Sequence, residues 1–120
     1  MYKLAFLLMF CSILTVCDAQ NCKSIPSVFN SYEQAKQIVT AASFPFRQTI
    51  MTTKSSWIRE ATYYSCDGKT GFFLFKTNNQ TYIHQDVPLT IWKGFVAADS
   101  YGSFYDHYLK HKFPLKLVGK

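Results

Sequence analysis

The sequence predicts a small α+β domain: a three-stranded antiparallel meander followed by two C-terminal helices, with an N-terminal helix packed on it. Three observations carry this reading. Tyr32, Ala35, Ile38, Val39 and Ala42 recur with helical period. Strand-like runs then follow, separated by Asp67-Gly68 and Asn78-Asn79. Helical spacing returns with Ile91, Phe95 and Ala98, and again with Phe104, Tyr108 and Leu109.

Each element has a local cause. Asn30-Ser31 can cap the first helix, and Ser31 with Gln34 has the spacing of a capping box. Pro45 keeps that helix from continuing, and residues 47–53 read as an extended connector with Ile50 and Met51 as its strong apolar residues. Residues 57–65 are rich in strand formers; a bulge near Arg59-Glu60 would align Ile58, Ala61 and Tyr63 on one face. Residues 71–77 form the second strand, with Phe73 and Phe75 on one side and Phe72 and Leu74 on the other. Asn78-Asn79 is expected to turn through left-handed backbone, and residues 81–85 form the third strand. Pro88 is placed at the first position of the next helix, where a missing N–H costs nothing. Ser100 caps the last helix, and Pro114 ends it.

The chain divides into residues 1–19 as a signal peptide, 20–53 as helix and connector, 54–113 as the main domain, and 114–120 as a basic tail. Lys3 precedes an apolar run over residues 4–17, and Cys17 and Ala19 stand at minus three and minus one of a cleavage site before Gln20. That run is shorter than the roughly 20 residues a membrane span needs. The expected location is therefore secreted or periplasmic, with no transmembrane segment in the mature chain. A lipoprotein acylated at Cys17 ranks below this, because Val16 is bulky where a small residue is wanted.

Export leaves Cys22 and Cys66 of the four cysteines, and two thiols in an oxidising compartment most simply form one disulfide. Intermolecular pairing and two free thiols remain alternatives. Without residues 1–19 the chain keeps 12 basic and 6 acidic residues, so the net charge stays at +6. Such a surplus suits an anionic ligand or an acidic macromolecule. With eleven Phe, eight Tyr and two Trp, the chain can form a core without metal or cofactor, and none is expected.

No serine or cysteine nucleophile has a recognisable base beside it, no paired carboxylates occur, and there is no phosphate loop. The expectation is a non-catalytic binding module with no catalytic residues. The start of the last helix is the candidate anion seat: Ser100, Gly102 and Ser103, with Lys93 approaching from the preceding helix. Simple capping explains the same residues. A small metal-using or hydrolase-like enzyme built on His84, His107 and His111 is the alternative from a different class, since His107 and His111 are spaced i, i+4. No third ligand is fixed locally, so no metal site is assigned. Asn79-Gln80-Thr81 is a glycosylation sequon on a turn.

Ser55-Ser56-x-Ile58, a strand centred on Tyr82, Val87-Pro88 and Ala98-x-Ser100-x-Gly102-x-Phe104 together resemble the KTSC domain family over residues 54–113. The family takes its name from the C-terminal segment of some lysyl-tRNA synthetases. The resemblance implies a short strand-rich domain followed by helices, for which RNA binding has been suggested. Where the family often carries Tyr-x-Tyr, this chain has Tyr82-Ile83-His84. Nucleic acid is not the expected partner of an exported chain.

Overall fold

The computed structural model describes residues 20–53 and 55–119; the expected leader, with Cys17 and Ala19, lies outside them. A single 3₁₀ turn at Cys22–Ser24 leads into helix α1 (Tyr32–Ala41). Strands β1 (Phe46–Met51), β2 (Glu60–Ser65), β3 (Thr70–Lys76) and β4 (Thr81–Pro88) follow, then helices α2 (Leu89–Ala97) and α3 (Tyr101–Tyr108). The four strands form one antiparallel sheet in chain order.

The sheet has four strands, not the expected three. The added strand is β1, which the sequence hid because polar Arg47, Gln48 and Thr49 fill its middle and its one other large apolar side chain, Met51, lies exposed. Its inward side is used in full. Phe46 and Ile50 pack on the core, and between them Gln48 accepts the indole N–H of Trp92 at 2.7 Å. On the other side the hydroxyls of Thr49 and Thr62 meet at 2.8 Å.

Alternation in β3 splits the sheet into two apolar faces. Phe73 and Phe75 join Ile58, Ala61, Tyr63 and Val87 under α2 and α3, which contribute Trp92, Phe95, Tyr101, Tyr105 and Leu109. Leu74, with Tyr64 and Ile83, meets Phe29, Ala35 and Val39 from the N-terminal segment and Leu115 from the C-terminal one. Ser31 caps α1 by accepting the N–H of Gln34 at 3.0 Å, while Gln34 returns a bond to the N–H of Asn30 at 2.7 Å.

Several boundaries move for identifiable reasons. Residues 55–58 do not enter β2, because Ser55 Oγ accepts the N–H of both Trp57 (3.2 Å) and Ile58 (2.9 Å) and holds a turn there. The irregularity sits not at Arg59-Glu60 but between Gly71 and Phe73, opposite Gln85 and Asp86, where Asp86 takes φ 59°. Pro88 remains in β4 with ψ 145° and caps α2, so the helix begins at Leu89. The Asn78-Asn79 turn needs no left-handed residue; Thr77 Oγ1 closes it by accepting the N–H of Asn79 and Gln80. The buried stripe of α3 is Tyr101 and Tyr105, continued by the C-cap residue Leu109, rather than Phe104, Tyr108 and Leu109, and Tyr108 is exposed.

The basic tail is part of the fold. Leu115 is buried, the N–H of Phe29 donates to the Lys116 carbonyl at 2.9 Å, and the N–H of Val118 donates to the Phe29 carbonyl at 2.8 Å. Cys22 and Cys66 form a disulfide with Cα atoms 5.9 Å apart, tying the N-terminal segment to the end of β2. No described helix is long and apolar enough to cross a membrane.

Candidate functional site

A groove of about 450 Å³ opens between the start of α1, the start of β4 and the turn after α3. Its aromatic wall is built from the sheet outward. Phe75 of β3 stacks on Tyr82 of β4 at 4.9 Å between centroids, and on the near-parallel ring of His84 at 6.2 Å. Tyr82 is 40% exposed although its ring stacks on Phe75. Tyr32 joins from α1.

His84 and Tyr105 form the polar floor. Nδ1 of His84 lies 3.1 Å from the Phe113 carbonyl, and Nε2 lies 2.8 Å from the Tyr105 hydroxyl. Burial pulls the His84 imidazole below its ordinary value; the Phe113 bond resists this and the nearby His111 adds to it. Burial likewise pushes the Tyr105 hydroxyl up to about 12. At neutral pH this floor is uncharged.

The charge lies on the rim. Lys36 Nζ pairs with Glu33 at 2.8 Å and also donates to the Thr81 carbonyl at 3.2 Å. Among the described residues, Glu33 is the only acidic one lining the groove, and it is committed to that pair. Lys110 and His111 line the opposite side, and neither has a salt bridge among the described residues.

The three histidines do not gather as one site. His84 and His111 line the groove, whereas His107 is outside it and packs beside Tyr108. The expected helical pair is also lost, since α3 ends at Tyr108 and His111 takes φ 63° in the following turn. Leu109, fully buried, sits in the core just before this turn. Among the described residues there is no group of three or more His, Cys, Asp or Glu side chains that could hold a metal ion.

The start of α3 gathers the residues singled out for anion binding in a different arrangement. Ser100, Gly102 and Ser103 line a shallow depression with Ser55, Ser56 and Trp57, so two distant sequence motifs meet. Their polar groups are largely engaged in building it. Ser100 Oγ accepts the Ser103 N–H at 3.2 Å, and Ser55 Oγ holds the turn before β2. A Cβ at Gly102 would lie 2.6 Å from the Trp57 indole nitrogen, which explains the glycine by close approach. Lys93 does not line this depression, and Asp106 does.

The remaining motif residues also have structural work. The Val87 carbonyl accepts the Tyr63 hydroxyl at 2.6 Å, and burial pushes that hydroxyl up to about 12. Ala98 closes α2 by donating its N–H to Phe95. Tyr105, Tyr32 and Lys36 complete the groove with Lys110, and local sequence does not mark out the first three for it. The 101, 105, 109 spacing on α3 was the available signal for Tyr105.

Comparison with known proteins bears on this unit. The KTSC domain model matches residues 54–113, half of the chain. A crystal structure of a KTSC domain protein from Yersinia pestis aligns with 29% identity and a TM-score of 0.48, covering 57% of this chain and 92% of that one. The search of curated proteins finds no match.

Proposed function

The chain belongs to the KTSC domain family, and from that premise we propose that it is an exported, non-catalytic module binding an anionic partner in the groove between α1, β4 and the turn after α3. One observation carries the reading: Tyr82, 40% exposed, lies in the same groove as Lys110 and His111, neither of which has a salt bridge among the described residues. A flat ligand can stack on the ring while its negative charge meets Lys110. The disulfide supports an oxidising compartment.

The floor favours binding over catalysis. Both His84 nitrogens are engaged, and the Tyr105 proton is held with an acidity far from neutral. Among the described residues, no serine or cysteine lines the groove.

The test is equilibrium binding of three anionic probes, an oligouridine, a sulfated oligosaccharide and polyglutamate, at low and moderate salt. The expected result is salt-sensitive binding of at least one probe, weakened about tenfold in Lys110→Glu with His111→Glu. Selective binding of oligouridine would place the ligand in the class suggested for the family. Failure of all three probes, or unchanged affinity in the double variant, overturns the reading.

A further inference from the structure

The β3–β4 hairpin carries a feature at Asn79, a residue that does not line the groove. Asn79-Gln80-Thr81 has the acceptor pattern for N-linked glycans, in which the hydroxyl two residues on is required. A pattern alone says little; its presentation decides. Here β3 ends at Lys76 and β4 begins at Thr81, so Asn79 stands at the hairpin tip, and Asn78, Asn79 and Gln80 are all exposed.

The hairpin closes without the Asn79 side chain. Thr77 donates its N–H to the Gln80 carbonyl at 2.9 Å, and its Oγ1 accepts the backbone N–H groups of Asn79 at 3.2 Å and Gln80 at 3.1 Å. The neighbouring Asn78, by contrast, spends its Oδ1 on the Arg59 guanidinium at 3.1 Å. Asn79 is therefore fixed through its backbone while its carboxamide makes no hydrogen bond among the described residues. A substituent on Nδ2 would leave every hydrogen bond of the turn intact and would project into solvent.

We propose that Asn79 is an N-glycan acceptor, modified when the chain enters a secretory lumen that holds an oligosaccharyltransferase. This rests on the export reading and not on the ligand. The co-reactant is a polyprenyl-pyrophosphate-linked oligosaccharide. Asn79 Nδ2 forms a bond to the anomeric carbon, the bond from that carbon to the pyrophosphate oxygen breaks, and its electron pair leaves with the pyrophosphate. The amide gives up one proton to base, and nothing is oxidised or reduced. Because Gln80 and Thr81 line the groove, the glycan would stand at its outer lip.

The experiment expresses the full chain in a eukaryotic secretory host, once with residues 1–19 and once with a host leader replacing them, so that delivery does not depend on the native leader. Intact mass is compared before and after peptide-N-glycosidase treatment, and the modified peptide is identified by the Asn-to-Asp conversion. The expected result is a glycan at Asn79, absent in Asn79→Gln and in Thr81→Ala and retained in Thr81→Ser. The same thermal midpoint for Asn79→Gln and for the wild-type chain made without glycan in a host lacking the transferase would confirm that the turn does not need the side chain. A secreted wild-type chain carrying no enzyme-removable glycan at Asn79 overturns the proposal.

Discussion

Tyr105 donates its hydroxyl proton to Nε2 of His84 across 2.8 Å, and the tautomer follows from the other side of the ring. The Phe113 carbonyl can only accept, so Nδ1 carries the hydrogen and Nε2 is left as the acceptor. Protonating His84 would break the Tyr105 bond and place a charge in a buried site. The folded pKa is depressed, so the unfolded chain takes up the proton first and stability falls with pH. The contribution is complete above about 6.5 and is lost on acidification toward the lower folded value. Urea midpoints measured from pH 8 to 5 should decline in the wild type and decline less in His84→Gln. Asp67, held low chiefly by the N–H groups of Thr70 and Lys69, loses its contribution only in more acid solution, so the two windows separate.

Removing the partner hydroxyl is the complementary change. Tyr105→Phe keeps the ring packed in T-shaped contact with Phe75 and Trp57 but leaves His84 Nε2 without a donor. The expected loss is about 1–3 kcal/mol, the cost of a buried unsatisfied polar group. Tyr108→Phe on the exposed face should change the urea midpoint little. Equal effects for the two substitutions would show that the His84 bond contributes nothing to stability.

Gly71 answers to backbone, not to turn chemistry. A Cβ there would run into the Tyr64 carbonyl oxygen across the β2–β3 pair, with Ser65 Cα at 3.0 Å as the next obstacle. Neither atom is the end of a flexible side chain, so relief requires moving a central strand. Gly71→Ala should cost about 1–3 kcal/mol or more by thermal or chemical unfolding. Gly68, at φ 76° with open space around its Cα, should accept Asn with a much smaller loss.

These sites show what local sequence could and could not reveal. The two-sided character of β3 was readable because Phe72 through Phe75 alternate within four residues. The α1 cap was readable because Ser31 and Gln34 are three apart. β1 was not, because its inward apolar residues are only Phe46 and Ile50, with the polar Gln48 between them, and the partners of that face lie on β2 and α2. The groove was least readable of all: Lys36 meets the Thr81 carbonyl 45 residues on, and His84 meets Tyr105 21 residues on. Spacing describes neighbours along an element; it says nothing about which elements will be packed together.

The disulfide should be the largest single covalent contribution to stability. Cys22 and Cys66 are 44 residues apart, and closing a loop of that size limits the unfolded chain by about 4 kcal/mol in the entropy model. Reduction should lower the urea midpoint, and Cys22→Ser with Cys66→Ser should match the reduced protein without responding to reductant. A midpoint indifferent to reduction would mean that the cross-link adds nothing beyond the noncovalent contacts of Phe29, Ala35 and Val39 with the sheet.

Gln85 joins the two segments that lie outside the family-matched region. Its side chain, only 4% exposed, donates from Nε2 to the Ser27 carbonyl at 2.9 Å and accepts the Lys116 N–H through Oε1 at 2.8 Å. Gln85→Leu keeps much of the volume but strands both backbone groups, at about 1–3 kcal/mol for each one left unsatisfied. The damage should be local before it is global. Amide exchange at Phe29, Lys116 and Val118, which secure the two segments to each other and to β4, should accelerate, while Leu74 and Phe75 in the central strand remain protected. Lys116→Ala separates this from charge. It removes an ion pair with Asp86 whose partners are each 56% exposed, yet keeps the backbone N–H that Gln85 accepts. That substitution should cost no more than about 1 kcal/mol, so an exchange pattern shared by both variants would assign the anchoring to Lys116 and Asp86 rather than to Gln85.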